Sequence, residues 1–156
     1  MLDREEIKKI IPHRDPMLLV DKVIDLVPEE KIATEFYISP DREIFKGHFP
    51  DEPVLPGVYT VENMAQSADI LILSCERYAG KTPLFLGINN VRFLKKIVPG
   101  STIRTIAYFK EERKEKAIVT ASCEVYLEET LAATGDVTLA MRKHNGGNVY
   151  RRCKHG

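Results

Sequence analysis

A chain of 156 residues can bury one sizeable core and is too short for two comfortable ones. Its 23 Lys and Arg balance 23 Asp and Glu, so no overall field gathers nucleic acid or an anionic membrane, and charge recognition has to be local. The start, MLDREEIKKI, is charged from Asp3 onward, the longest candidate membrane stretch is only Ile70 to Ser74, and Cys75, Cys123 and Cys153 are odd in number and widely spaced; a cytoplasmic protein with no membrane or nucleic-acid partner is expected.

Asp3 to Ile11 reads as one short helix, with Asp3 as N-cap, Glu6 three residues later and Pro12 as the stop. Met17 to Val27 and Lys31 to Ile38 are rich in Val, Ile, Leu and Phe around Pro28-Glu29-Glu30, the pattern of a hairpin. Ser39 to Pro56 carries Pro40, Pro50, Pro53 and Pro56 with Gly47, which predicts a stiff, extended loop. From Pro56 to about Tyr78, Val58, Val61, Ala65, Ala68, Ile72 and Cys75 recur at spacings of three and four. This predicts a helix about 30 Å long, with Pro56 in its first position and Gly80 as its stop.

Beyond it the chain alternates. Ala117, Val119, Ala121, Cys123, Val125 and Leu127 fall on one face, Leu131, Ala133, Val137, Leu139 and Met141 repeat the pattern, and Leu84 to Phe93 and Thr102 to Lys110 complete about four antiparallel strands. One long helix wrapped by an antiparallel sheet is an α+β architecture. Residues 1–142 are read as this single domain and 143–156, a basic polar stretch, as a flexible tail.

The chemistry concentrates in GHFPDEPVLPGVYTVENMAQ, from Gly47 to Gln66. His48 sits in a proline-stiffened loop that feeds the start of the long helix, whose first N–H groups lack partners and suit a carbonyl oxygen gaining negative charge. Gly57 keeps no side chain between a ligand and that helix end. Glu62 lies about 9 Å along the axis from Pro56 and shares a flank with Gln66 and Asp69, so partial burial is expected to hold its carboxyl as a general acid, with His48 as the base. Spacing alone does not separate this from a structural histidine and a solvated glutamate.

The same string resembles the signature of the (3R)-hydroxyacyl-acyl carrier protein dehydratases of bacterial fatty acid synthesis, a hot-dog-fold family; IPHRDPMLLVDKV (Ile11 to Val23) and FLGINNVRFLKKIVPG (Phe85 to Gly100) resemble its other blocks in the same order. The resemblance implies a hot-dog fold and dehydration of a 3-hydroxyacyl thioester to a trans-2-enoyl thioester, with His48 taking the C2 proton and Glu62 protonating the departing hydroxyl. It gives Gly57 the thioester carbonyl, Gln66 the task of holding Glu62, and Phe49 and Pro56 the shaping of the loop. No metal or organic cofactor is implied. The implied partners are acyl carrier protein, bearing the substrate on phosphopantetheine, and a second copy of the chain, as a homodimer or trimer of dimers whose sites draw His and Glu from different subunits.

Glutamate rather than aspartate at position 62 favours the plain dehydratase over the related dehydratase/isomerase. An acyl tunnel lined by Val61, Ala65 and Phe85, and carrier-protein docking by Arg92, Lys95 and Lys96, are expectations with ordinary core and solvated strand end as their alternatives. Asp15 and Met17 stand where the family usually has aromatics, and Asn63 and Asp69 where it has small residues, so the packing around Gln66 is expected to differ. His13 is read as orienting the loop after the first helix. His144, Cys153 and His155 lack a full metal-ligand set. The remaining alternatives are a hot-dog thioesterase or isomerase and a non-catalytic acyl-thioester sensor, for which no output element is expected before Ile11.

Overall fold

The computed structural model describes residues 1–47 and 53–143, so His48, Phe49 and the tail from His144 onward lie outside the described residues. Helix α1 (Arg4–Lys8) starts with the expected capping box: the Asp3 carboxylate accepts from the Glu6 N–H at 2.8 Å, and the Glu6 side chain accepts from the Asp3 N–H at 3.1 Å. The helix ends before Ile11 because the Ile10 and Ile11 N–H groups both turn back to the Ile7 carbonyl.

Strands β1 (Lys22–Val27) and β2 (Lys31–Tyr37) form the expected hairpin. β1 begins at Lys22 rather than Met17, although Leu18, Leu19 and Val20 are buried. Their apolar side chains produced the strand reading; the backbone of this stretch instead bonds to helix side chains, as described below. The proline-rich segment is not wholly extended either. Between Pro40 and Pro50 the sequence has no proline, and one helical turn, α2 (Ile44–Gly47), forms there.

The long helix α3 runs Gly57–Leu73, with Pro56 as its N-cap at φ −59°, ψ 138° rather than inside the first turn. It stops well before Gly80. The Ser74 hydroxyl donates to the Leu71 carbonyl at 2.6 Å, and a separate 3₁₀ turn occupies Glu76–Tyr78. The expected apolar stripe is also corrected: Val58 is 73% exposed, whereas every residue from Asn63 to Leu73 is buried. A helix buried on all sides has no single apolar face. Burying Ile70, Leu71 and Ile72 completely contributes about 1.5–3 kcal/mol each.

β3 (Thr82–Phe93), β4 (Thr102–Arg113), β5 (Ile118–Leu127) and β6 (Thr130–Arg142) complete one antiparallel sheet in the order β1-β2-β4-β5-β6-β3. α3 packs across β4, β6, β2 and β5. Val119, Ala121, Cys123 and Val125 on β5, with Val137 and Leu139 on β6, point into that core, as their alternation requires. β3 pairs only with β6, and its Leu84, Phe85 and Leu86 are exposed. Among the described residues, no helix is long and apolar enough to cross a membrane.

Candidate active site

Gln66 organises the site. Its side chain is fully buried on α3, where Oε1 accepts from the Leu19 N–H at 2.8 Å and Nε2 donates to the Met17 carbonyl at 2.7 Å. A backbone N–H only donates and a carbonyl only accepts, so these two bonds fix which way the amide faces. Its second N–H therefore donates to Glu62 Oε2, at 2.9 Å. Oε2 is the acceptor in that bond. Among the described residues, Oε1 makes no hydrogen bond.

The same bonds seat the loop before β1 on the helix. Asn63 Nδ2 donates to the Leu19 carbonyl at 2.7 Å, and Asn63 Oδ1 accepts from the Thr105 hydroxyl at 2.6 Å. A small residue at 63 makes neither bond, so this departure ties loop, helix and β4 together. Asp15 is gripped by Arg4, which also holds Asp21 at 2.7 Å; an ion pair clamps the loop where an aromatic ring is usual. Arg14 holds it from the other side, donating to the carbonyls of Lys8, Ile11 and His13. His13 is thereby placed with Nε2 3.6 Å from Glu62 Oε2.

Burial holds the His13 imidazole below its ordinary value, opposed by the Glu62 charge and reinforced by Arg14. Asp69 is almost completely buried, and among the described residues its Oδ1 has no partner. Burial, with Glu62 adding to it, pushes the Asp69 carboxyl well above the usual carboxylate range.

At the start of α3, Gly57 lies against Phe93: a Cβ there would lie 2.7 Å from Phe93 Cζ and would push that exposed ring aside. An apolar cleft of about 440 Å³ opens beside it, lined by Gly57, Val58, Val61, Ile88, Val91 and Phe93. Of the three expected tunnel residues only Val61 lines this cleft. Ala65 is buried in the core, and Phe85 lies on the exposed part of β3. A neighbouring cleft of about 390 Å³ places Lys95 and Lys96 beside Pro56, Gly57 and Thr60, whereas Arg92 lines neither cleft. Among the described residues no group of three or more His, Cys, Asp or Glu side chains is placed to hold a metal.

Residues 11–136 match the model of the FabA-like domain. The chain belongs to the FabA-like domain family. Its relatives include the 3-hydroxyacyl-[acyl-carrier-protein] dehydratase FabZ of Clostridium beijerinckii, 53% identical over 105 residues that cover 66% of this chain and 74% of that one. The protein of the same name from Streptococcus agalactiae is 41% identical over 141 residues, 90% of this chain and 99% of that one. Among solved structures, the dehydratase heterocomplex ApeI:P from Xenorhabdus doucetiae superposes with a TM-score of 0.74 at 20% identity, covering 88% of this chain and 91% of that one. The fold is therefore the hot-dog fold, as the sequence motifs implied.

Gln66 bonds to Glu62 on α3, and Gly57 opens that helix beside the apolar cleft with Pro56 as its N-cap; His48 and Phe49 fall outside the described residues. Sequence reasoning gave His13 only a role in orienting its loop and did not foresee its contact with Glu62. The signal was the His13-Arg14 pair directly after α1, because Arg14 pins the backbone there and leaves the imidazole facing α3.

Proposed function

We propose that this chain eliminates water from (3R)-3-hydroxyacyl groups carried on acyl carrier protein, yielding the trans-2-enoyl thioester for fatty acid elongation. The observation that supports the proposal is the Glu62 carboxyl held at Oε2 by Gln66 on the helix that begins at Gly57. His48 removes a proton from C2, and the electron pair forms the C2–C3 double bond as the hydroxyl leaves with the Glu62 Oε1 proton. The Gly57 N–H steadies the negative charge on the thioester oxygen. The acyl chain occupies the apolar cleft beside Gly57 and Val61, and Lys95 and Lys96 beside the neighbouring cleft receive the acidic carrier protein with Arg92. Phe49 and Pro56 shape the loop, and neither metal nor organic cofactor takes part.

The working unit is a dimer, assembled further as a trimer of dimers, in which His48 of one subunit faces Glu62 of another. An edge strand whose Leu84, Phe85 and Leu86 are exposed, as on β3, supports pairing with a second copy. Residues 1–142 form the catalytic domain, and the cytoplasm suits the buried, unpaired Cys75 and Cys123.

Turnover of a 3-hydroxyacyl carrier protein tests the reading: appearance of enoyl absorbance with the thioester intact supports it, thiol release signals a thioesterase, and a cis-3 product signals an isomerase. Mixing inactive His48→Ala and Glu62→Gln proteins tests the shared site. Partial recovery of activity is expected, and none at all contradicts it.

A further inference from the structure

We infer that His13 is a positioning residue for the acid of this reaction: its Nε2–H stands aligned on Glu62 Oε2, the oxygen that Gln66 already holds, and tightens on the carboxylate as the proton leaves. This rests on the dehydratase reading above. The decisive geometry is that both neighbours of Glu62 approach the same oxygen, Gln66 Nε2 at 2.9 Å and His13 Nε2 at 3.6 Å. Because Gln66 makes Oε2 an acceptor, a histidine nitrogen facing it is favoured as a donor, which places the single proton of a neutral imidazole on Nε2. Nδ1 is then the bare nitrogen, in keeping with its burial without a partner.

At 3.6 Å the contact is longer than a hydrogen bond and adds little while the acid is neutral. Once Oε1 has given up its proton, charge spreads over both carboxylate oxygens, and a donor already aligned on Oε2 becomes a charge-assisted bond. An interaction that is stronger in the transition state than in the ground state raises kcat and leaves substrate binding alone. His13 is suited to this because burial and the adjacent Arg14 both disfavour its charged form. Arg14, bonded to three backbone carbonyls, fixes where the ring stands.

The test combines kinetics of His13→Ala and His13→Gln on a 3-hydroxyacyl carrier protein with nitrogen NMR of the wild-type imidazole. His13→Ala is expected to lower kcat about tenfold with KM within about twofold of wild type. His13→Gln, which restores an N–H donor, is expected to recover most of that loss. The NMR should show the Nε2–H form, a readout that stands even if a variant fails to fold. An Nδ1–H ring, unchanged kcat in His13→Ala, or a loss that the glutamine fails to restore overturns the inference. Full activity of His13→Ala beside an inactive Glu62→Gln refutes this role alone, whereas an inactive wild type refutes the dehydratase reading itself.

Discussion

Replacing Gln66 with Leu probes the joint between loop and helix. The two side chains are similar in volume, so packing changes little, but three hydrogen bonds disappear together. The Leu19 N–H is buried and has nowhere to turn, at about 1–3 kcal/mol; the Met17 carbonyl is nearer to water and adds about 1 kcal/mol. The expected loss of stability is thus about 2–4 kcal/mol. With a urea slope of about 1.5 kcal/mol per molar, that lowers the unfolding midpoint by about 1.3–2.7 M, compared at one protein concentration. Gln66→Glu separates stability from chemistry. It still accepts from Leu19 but offers no donor to Oε2 unless protonated, so it should recover part of its stability as the pH falls. A Gln66→Leu protein with wild-type midpoint and turnover would refute the claim that this amide builds the site.

Gly57→Ala should fold normally, since Phe93 is 56% exposed and its ring can swing aside, yet lose activity at least tenfold as the ring enters the cleft; wild-type turnover would contradict this. Asp69 binds its proton more tightly folded than unfolded, so its contribution is fully present below the ordinary value of 3.8 and is lost as the pH rises toward the higher folded value. Asp69→Asn should therefore gain stability over wild type as the pH rises above the ordinary value of 3.8 in urea titrations, and a difference that does not change with pH would count against a raised Asp69 carboxyl. Changing Lys95 and Lys96 to Glu together should cut kcat/KM for the carrier-bound substrate about tenfold while sparing a small thioester analogue. Equal losses on both substrates would reject docking there.

The strand alternation in β5 and β6 and the capping box at Asp3 and Glu6 were legible because each is a local pattern with one structural solution. Of the candidate site, the motif put Glu62 and Gln66 one helical turn apart, and the bond between them forms on α3. What the sequence concealed is long-range. Leu18 to Val20 look like strand, yet the Leu19 N–H and carbonyl are bound by Gln66 and Asn63, more than forty positions away. Val58 joined the apolar stripe by spacing but faces outward, because the sheet covers α3 only from about Asn63 onward. The His13 contact depends on where Arg14 anchors a loop, which no periodicity records.

The most direct measurement is the turnover of a (3R)-3-hydroxyacyl carrier protein by wild type and by Glu62→Gln, read as enoyl absorbance with folding checked in parallel. Wild type should produce the 2-enoyl thioester, and the folded glutamine variant should be slower by about 10²–10⁴-fold. A Glu62→Gln enzyme as fast as wild type would show that the open oxygen on α3 is not the acid.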